Sequence, residues 1–338
     1  MRVHLVSPAF HGYWASIAAA LEAGGHTVTT VVYDHNAGLR DRLWHHLRHE
    51  LPRRTRLGDL RGLARAQTEL ATESVRAARP DVVVVVKGDT LQDPFWELLD
   101  ELRLPRVTWL YDEVRRTRWD LERLAATGPV ATYSPLDDVA FRAAGIDSRW
   151  LPLAFDHRLV EPDARTRNDE VVFVGARYAN RERVLAMLAE RDVPVRAFGR
   201  DWSTHPVDRL RTWAWRRPDL PSARDLSRAD AYREMAAAVA TLNIHGDQDG
   251  LTMRTFEASG VGGLQLLDRS DLGGLYEPGV DLLTWSDDAE LVDLCTRAAR
   301  DSEWSDGIRE AGRRRTLAEH TFDHRVAVLA ETWDLPSS

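Results

Sequence analysis

Val82 to Val86 is an unbroken run of five valines. Branching at Cβ favours extended backbone, and the absence of any polar alternation leaves no face for water. A strand buried on both faces belongs to a parallel sheet covered by helices, and parallel neighbours are joined by crossovers of a dozen residues or more. The rest of the chain must therefore alternate strand and helix, and it does. Val3–Ser7 reads as a strand, followed by a loop with His11-Gly12-Tyr13 and a helix from Ala15 to Ala23 that stops at Gly24-Gly25. His26–Tyr33, Asp81–Val86, Arg106–Tyr111 and Val130–Tyr133 continue the strands, with helices expected at Phe95–Leu102 and Leu136–Ala144. The expected architecture is a doubly wound α/β domain.

Residues Leu151 to Glu170 are polar, contain Pro152 and Pro162 and show no period, so they read as a linker. The strand–loop–helix pattern then restarts at Val171–Val174 and Gly175. It continues through strands Val195–Phe198, Thr241–Ile244 and Leu264–Leu267, with a helix at Tyr232–Ala240. At 338 residues the chain exceeds one comfortable core. The division expected is an N-terminal Rossmann-like domain at 1–152, a linker at 153–169, and a second Rossmann-like domain at 170–320. A C-terminal helix within 321–338 is expected to pack back on the first domain. Ligands of open α/β sheets sit beyond the carboxyl ends of the strands, so two such domains facing each other would form a cleft.

Composition narrows the function classes. The net charge of −8 argues against general nucleic-acid binding, and Lys87 is the only lysine among 45 basic residues, so any anion site must be a local gathering of arginines. Cys295 stands alone, which excludes an intrachain disulfide and a cysteine-based zinc site and fits a reducing cytoplasm. The apolar run at the amino terminus is too short for a signal sequence, and no segment approaches the roughly 20 apolar residues that span a bilayer. Peripheral membrane contact stays open. His45, His46 and His49 lie in the arginine-rich stretch Arg40–Arg79 without a convincing metal set, and that stretch reads as a solvated basic helix or as a lipid-facing or acceptor surface.

The most informative stretch for chemistry is Asn243–Glu257, an acid-rich loop, a glycine and the start of a helix. Amides at a loop–helix junction suit a phosphate, and ionised carboxylates, which only accept hydrogen bonds, suit sugar hydroxyls. Asp249 and Glu257 stand eight residues apart, with Gly250 a natural entry to the helix. Glu257 could instead be a solvated glutamate favoured by the helix dipole. Arg254 lies one turn before Glu257 and could meet phosphate or pair with Glu257 and orient it.

The segment Asp249 to Gly263 resembles the donor-site signature of GT-B glycosyltransferases, closest to the group of the spore-maturation protein CgeB and more distantly to glycosyltransferase family 4. Further matching pieces run in order along the chain: Leu21–Val28, Lys87-Gly88, Trp109–Asp112, Phe173-Val174-Gly175, Gly279-Val280-Asp281 and Glu290-Leu291. The resemblance implies that Glu257 holds the ribose hydroxyls and that Asp249 faces the donor sugar, where the family more often carries the longer glutamate. It implies that the amides of Gly250, Leu251 and Thr252 face the diphosphate, with Arg181, in preference to Arg177, as its cation. The activity implied is sugar transfer from a nucleoside-diphosphate-sugar to a small-molecule, peptide or glycan acceptor, without metal or cofactor and with retention of configuration.

The loop His11-Gly12 sits where a ligand approaches the first sheet and is a further contact expected for the nucleotide-sugar; it lacks the glycine fingerprint of a dinucleotide site. Asp112 and Glu113 end the strand Val107–Tyr111, and were the reaction to invert, one of them, Asp112 first, is the candidate general base. Trp202, Trp213 and Trp215 read as acceptor platforms or as packing, and His245 as near the donor or structural. Two other readings of the chain are a nucleotide-sugar epimerase or hydrolase and a non-catalytic protein that keeps only the fold.

Overall fold

The computed structural model describes residues 1–34, 60–160, 167–213 and 215–333. His45, His46 and His49 lie outside them. The chain forms two compact units, Met1–Pro152 with Phe322–Ser338, and Leu153–Thr321. Each is built on a six-stranded parallel sheet.

The first sheet has β1 (Arg2–Ser7), β2 (Thr27–Val32), β3 (Val82–Val86), β4 (Arg106–Leu110), β5 (Val130–Thr132) and β6 (Ser148–Trp150), in the spatial order β2-β1-β3-β4-β5-β6. All five valines of β3 are buried, as a strand covered on both faces requires. β1 is buried on both faces as well, and it carries a polar residue inward: His4 meets Thr29 Oγ1 at 2.8 Å and Ser74 Oγ at 3.0 Å. The helix Phe322–Trp333 belongs to this unit, where the Phe322 ring lies against Tyr13 and Trp109 and Arg325 Nε donates to Pro152 O at 2.7 Å.

The second sheet has β7 (Val171–Val174), β8 (Val195–Phe198), β9 (Ser222–Ala223), β10 (Ala240–Asn243), β11 (Gln265–Leu267) and β12 (Leu283–Thr284). Its order, β12-β11-β10-β7-β8-β9, is the Rossmann winding: the chain runs outward from β7 through β8 and β9, then restarts on the other side of β7 at β10. The helix expected at Tyr232–Ala240 runs Arg228–Ala237 instead, because Ser227 caps its start and Ala240 already belongs to β10. Residues 151–170, expected as a plain linker, hold a bridge from Phe155 to Thr321 and a short turn at His157–Leu159.

The helix Met253–Gly260 ends against Phe155, and a Cβ on Gly260 would sit 2.5 Å from that ring. Gly260→Ala is therefore expected to destabilise the protein by about 1–3 kcal/mol, since neither the helix nor a fully buried ring can yield cheaply. An unchanged urea midpoint for this variant would contradict the packing described.

Burial holds the His4 imidazole well below its ordinary value, at about 4, against 6.5 in an unfolded chain. Between those limits the unfolded state takes up the proton and the folded state does not, so stability falls as pH drops from about 6.5 to about 4. The loss attributable to His4 is up to about 3 kcal/mol. Stability curves of His4→Gln are expected to be flatter than wild type in that window and parallel to it above pH 7.

Candidate functional site

The second sheet reverses its winding between β7 and β10, and the loops that follow these two strands, Gly175–Tyr178 and Ile244–Thr252, flank that point. The expected residues Arg177, Arg181, Asp249, Gly250, Leu251, Thr252, Arg254 and Glu257 all lie on these loops or the helices they lead into. His11, Gly12 and Asp112 belong to the first unit.

The floor of the site is a buried polar lattice. Asn243, the last residue of β10, donates to Thr255 Oγ1 at 2.8 Å and to Gln265 Oε1 at 3.0 Å. Gln265 Nε2 in turn donates to Thr255 O and Ser259 Oγ. This fixes the helix Met253–Gly260 against β10 and β11, with the side-chain amides of Asn243 and Gln265 paired as burial demands. Asp249 does not share the helix with Glu257, for the helix begins at Met253 with Thr252 as its N-cap. The Thr252 side chain accepts no helix amide, so the first turn opens without a side-chain cap.

The loop is gripped from β11. Asp268 accepts the His245 backbone N–H at 2.9 Å and lies 3.1 Å from His245 Nδ1. Arg269 donates to the carbonyls of Gln248 at 3.1 Å, Asp249 at 3.2 Å and Gly250 at 3.3 Å. Neither residue belongs to a recognisable motif; an Asp-Arg pair directly after a buried strand is the only signal the sequence offers for them.

Glu257 is fully buried, which excludes the solvated alternative. Its Oε2 takes Arg254 Nη1 at 2.7 Å and its Oε1 takes the Tyr232 hydroxyl at 3.4 Å. Arg254 is the member of the pair that keeps solvent contact, with about a quarter of its side chain exposed (26%). Arg181 Nε donates to Ile244 O and Nη1 to Ala176 O, both at 2.9 Å, tying the two flanking loops together while its guanidinium lies over Tyr178 and Phe173. Burial lowers its pKa, with Tyr178 and Asp268 acting in the opposite sense. Two of its five donors are spent there. Arg177 pairs with Glu182 at 2.8 Å and donates to Arg216 O.

In the first unit, His11 and Gly12 sit in a short turn before the helix Tyr13–Ala23, both at positive φ (46° and 74°). Asp112 pairs with Lys87 at 2.5 Å and keeps about a third of its side chain exposed (37%). Its neighbour Glu113 is buried and held by Arg116 at 3.0 Å; burial pushes the Tyr133 phenol pKa upward, and Glu113 adds to that. Glu113 is thus a structural carboxylate. Trp202 is core, with Nε1 donating to Gly175 O, whereas Trp213 and Trp215 are exposed.

A protein-family model described as "Glycosyl transferase-like" matches residues 177–331. No curated protein matches the chain. Among solved structures, sucrose-phosphate synthase from Thermosynechococcus elongatus is similar with a TM-score of 0.64 at 14% identity, covering 98% of each chain. HepE of Anabaena, in complex with UDP-glucose, reaches 0.61 at 14% identity over 98% of this chain and 99% of that one. The DNA-modifying enzyme β-glucosyltransferase reaches 0.57 at 10% identity over 99% and 100%. The fold is that of the GT-B glycosyltransferases. Among the described residues no helix is long and apolar enough to cross a membrane.

The grip of Arg269 generates a structural prediction for the GT-B second unit. Arg269→Ala leaves three loop carbonyls to water, so limited chymotrypsin digestion is expected to cut near Leu251 faster than in wild type while the melting temperature moves little. Equal cleavage rates would show that the loop is held by something else.

Proposed function

We propose that the protein transfers a glycosyl group from a nucleoside-diphosphate-sugar to an acceptor, with retention and without calling on a metal. The observation that carries this reading is the set of groups around the winding reversal of the second sheet: an uncapped helix start, a clamped loop bearing Asp249, and the Arg254–Glu257 pair with a buried carboxylate behind an accessible guanidinium. The helix start and Arg254 suit the diphosphate, and the spare donors of Arg181 add to them. Arg177 takes part only if it leaves Glu182. Once Arg254 turns to phosphate, the Glu257 carboxylate is left with acceptor capacity that ribose hydroxyls fill. The amides of Gly250, Leu251 and Thr252 border the same diphosphate. His11 and Gly12 are proposed as further contacts from the first unit.

In the step itself, the bond from the anomeric carbon to the diphosphate oxygen breaks and a bond to the acceptor oxygen forms on the same face. The acceptor's proton passes to the departing diphosphate, and cations gathered at the phosphates stabilise its developing charge. Asp249 accepts from a sugar hydroxyl and holds the ring during that passage. Asp112, paired with Lys87, is the alternative base for an inverting course. The likeness to HepE, whose structure holds UDP-glucose, supports the choice of a nucleoside-diphosphate donor.

Thermal shifts with UDP, GDP and TDP test the donor. The matching nucleotide at 100 times its dissociation constant is expected to add about 2.7 kcal/mol of stability. Glu257→Ala should abolish that shift while remaining folded, and normal affinity in the variant would remove Glu257 from the ribose. Asp249→Asn is expected to lower turnover far more than nucleotide binding; unchanged turnover would remove Asp249 from the sugar. Release of free sugar and nucleotide without any acceptor would favour a hydrolase over a transferase.

A further inference from the structure

The first sheet also reverses its winding, between β1 and β3, and the carboxyl ends of β1, β2 and β3 open onto a cavity of about 370 Å³. That volume falls within the roughly 300–1,000 Å³ of small-molecule sites, at the place where open α/β sheets bind ligands. Phe10 follows β1, Tyr33 and Asp34 follow β2, Lys87 and Asp89 follow β3, and Arg118 adds a guanidinium; the helix Leu60–Ala78 supplies a wall of Leu63, Ala64 and the amide of Gln67. None of these six residues belongs to the donor site.

The backbone is strained where β3 ends. Lys87 adopts φ 63°, in the left-handed region, followed by Gly88 at 67°, where a Cβ would stand 2.9 Å from Val85 Cγ1. Such conformations persist where the surroundings enforce them, and they gather at ligand sites. This turn directs the Lys87 ammonium to Asp112 and brings it 5.4 Å from the Phe10 ring centre.

The charges that remain select the ligand. Asp34 accepts the Ala9 N–H at 2.5 Å and Asp89 the Arg118 N–H at 3.3 Å; each carboxylate has no other hydrogen-bond partner among the described residues. Both lie near the Tyr33 phenol, whose pKa burial pushes up first, with Asp89 and Asp34 adding to it. With Lys87 neutralised by Asp112, two carboxylates face one cation among the described residues, the Arg118 guanidinium, which makes no ion pair with any of them. Carboxylates only accept, so a fitting ligand is rich in hydroxyl donors and carries one positive charge. The Phe10 ring, 42% exposed, offers a face to the apolar side of a saturated ring or to a cation.

We propose that this cavity binds an amino-substituted polyol, a hydroxyl-rich saturated ring bearing an ammonium group, and that this ligand is the sugar acceptor. The name acceptor rests on the glycosyl-transfer reading; the binding does not. The ammonium sits with Asp34 and Asp89, ring hydroxyls share their remaining lone pairs, and Arg118 donates to a hydroxyl oxygen at the rim.

Calorimetric titration of the full chain with glucosamine, 2-deoxystreptamine, N-acetylglucosamine and glucuronate tests it. At least one of the two amines is expected to bind. N-acetylglucosamine, which lacks the charge, should bind weaker than glucosamine or not at all, and glucuronate should not bind. Asp34→Asn and Asp89→Asn keep the oxygen that accepts the Ala9 or Arg118 amide, so each should melt as wild type while weakening the amine by roughly tenfold or more. Binding of neither amine, equal binding by N-acetylglucosamine and glucosamine, or wild-type affinity in both asparagine variants would overturn the proposal. Amine binding should survive Glu257→Ala. If an amine binds through Asp34 and Asp89 but no nucleotide stabilises the protein, the cavity ligand stands and the glycosyl-transfer reading falls. Nucleotide stabilisation without amine binding keeps glycosyl transfer and removes the cavity ligand.

Discussion

The second unit depends on how one loop is held. Asp268 and Arg269, consecutive at the end of β11, seize it near both ends, the first through His245 and the second through the carbonyls of residues 248–250. The guanidinium suits the task because its planar fork can serve several acceptors from one rigid position. Behind the loop, the Asn243–Thr255–Gln265–Ser259 lattice fixes the helix that follows. A loop held this way carries Asp249 on a backbone fixed through its own carbonyl, and the helix start is delivered beside it. Loops positioned by a rigid scaffold are where function concentrates.

The two sheets apply one topological device to different chemistry. Each reverses its winding beside its first strand, and each gathers polar residues at the carboxyl ends there. In the second unit arginines dominate that place: Arg181 bridges the flanking loops and Arg254 stands in front of Glu257. In the first unit carboxylates dominate, and the chain's only lysine is consumed by Asp112. One arrangement suits a diphosphate and the other a cationic polyol.

The architecture was legible in the sequence because parallel strands write their burial directly into composition. Five valines required a covered strand, and the positions of β1, β3, β4, β7 and β8 were readable to within a residue or two. Boundaries set by capping were less so: the helix before β10 starts at Arg228 because Ser227 caps it, a local bond that hydrophobic period does not encode. In the candidate site, the spacing of Arg254 and Glu257 allowed their pairing as one of two readings, since residues three apart share a helix face. It could not foretell that the carboxylate lies wholly under cover, which Tyr232, 25 residues earlier in the chain, helps to impose. Asp112 and Glu113 show the same limit. They are adjacent acids at a strand end, yet one is paired with Lys87 and partly exposed while the other is buried against Arg116 and Tyr133. The importance of Asp268 and Arg269 lies in partners about 20 residues distant, with no motif to announce them.

Glycosyl transfer as proposed requires a nucleoside diphosphate at the winding reversal of the second sheet. Hydrogen–deuterium exchange with and without the best-binding nucleotide addresses it most directly, because it reports where protection appears. Slowed exchange is expected in the loop 175–178 and across 246–254, with the strands and helices of the first sheet unchanged. Protection confined to the carboxyl ends of β1–β3, or none in residues 246–254 at saturating nucleotide, would contradict it.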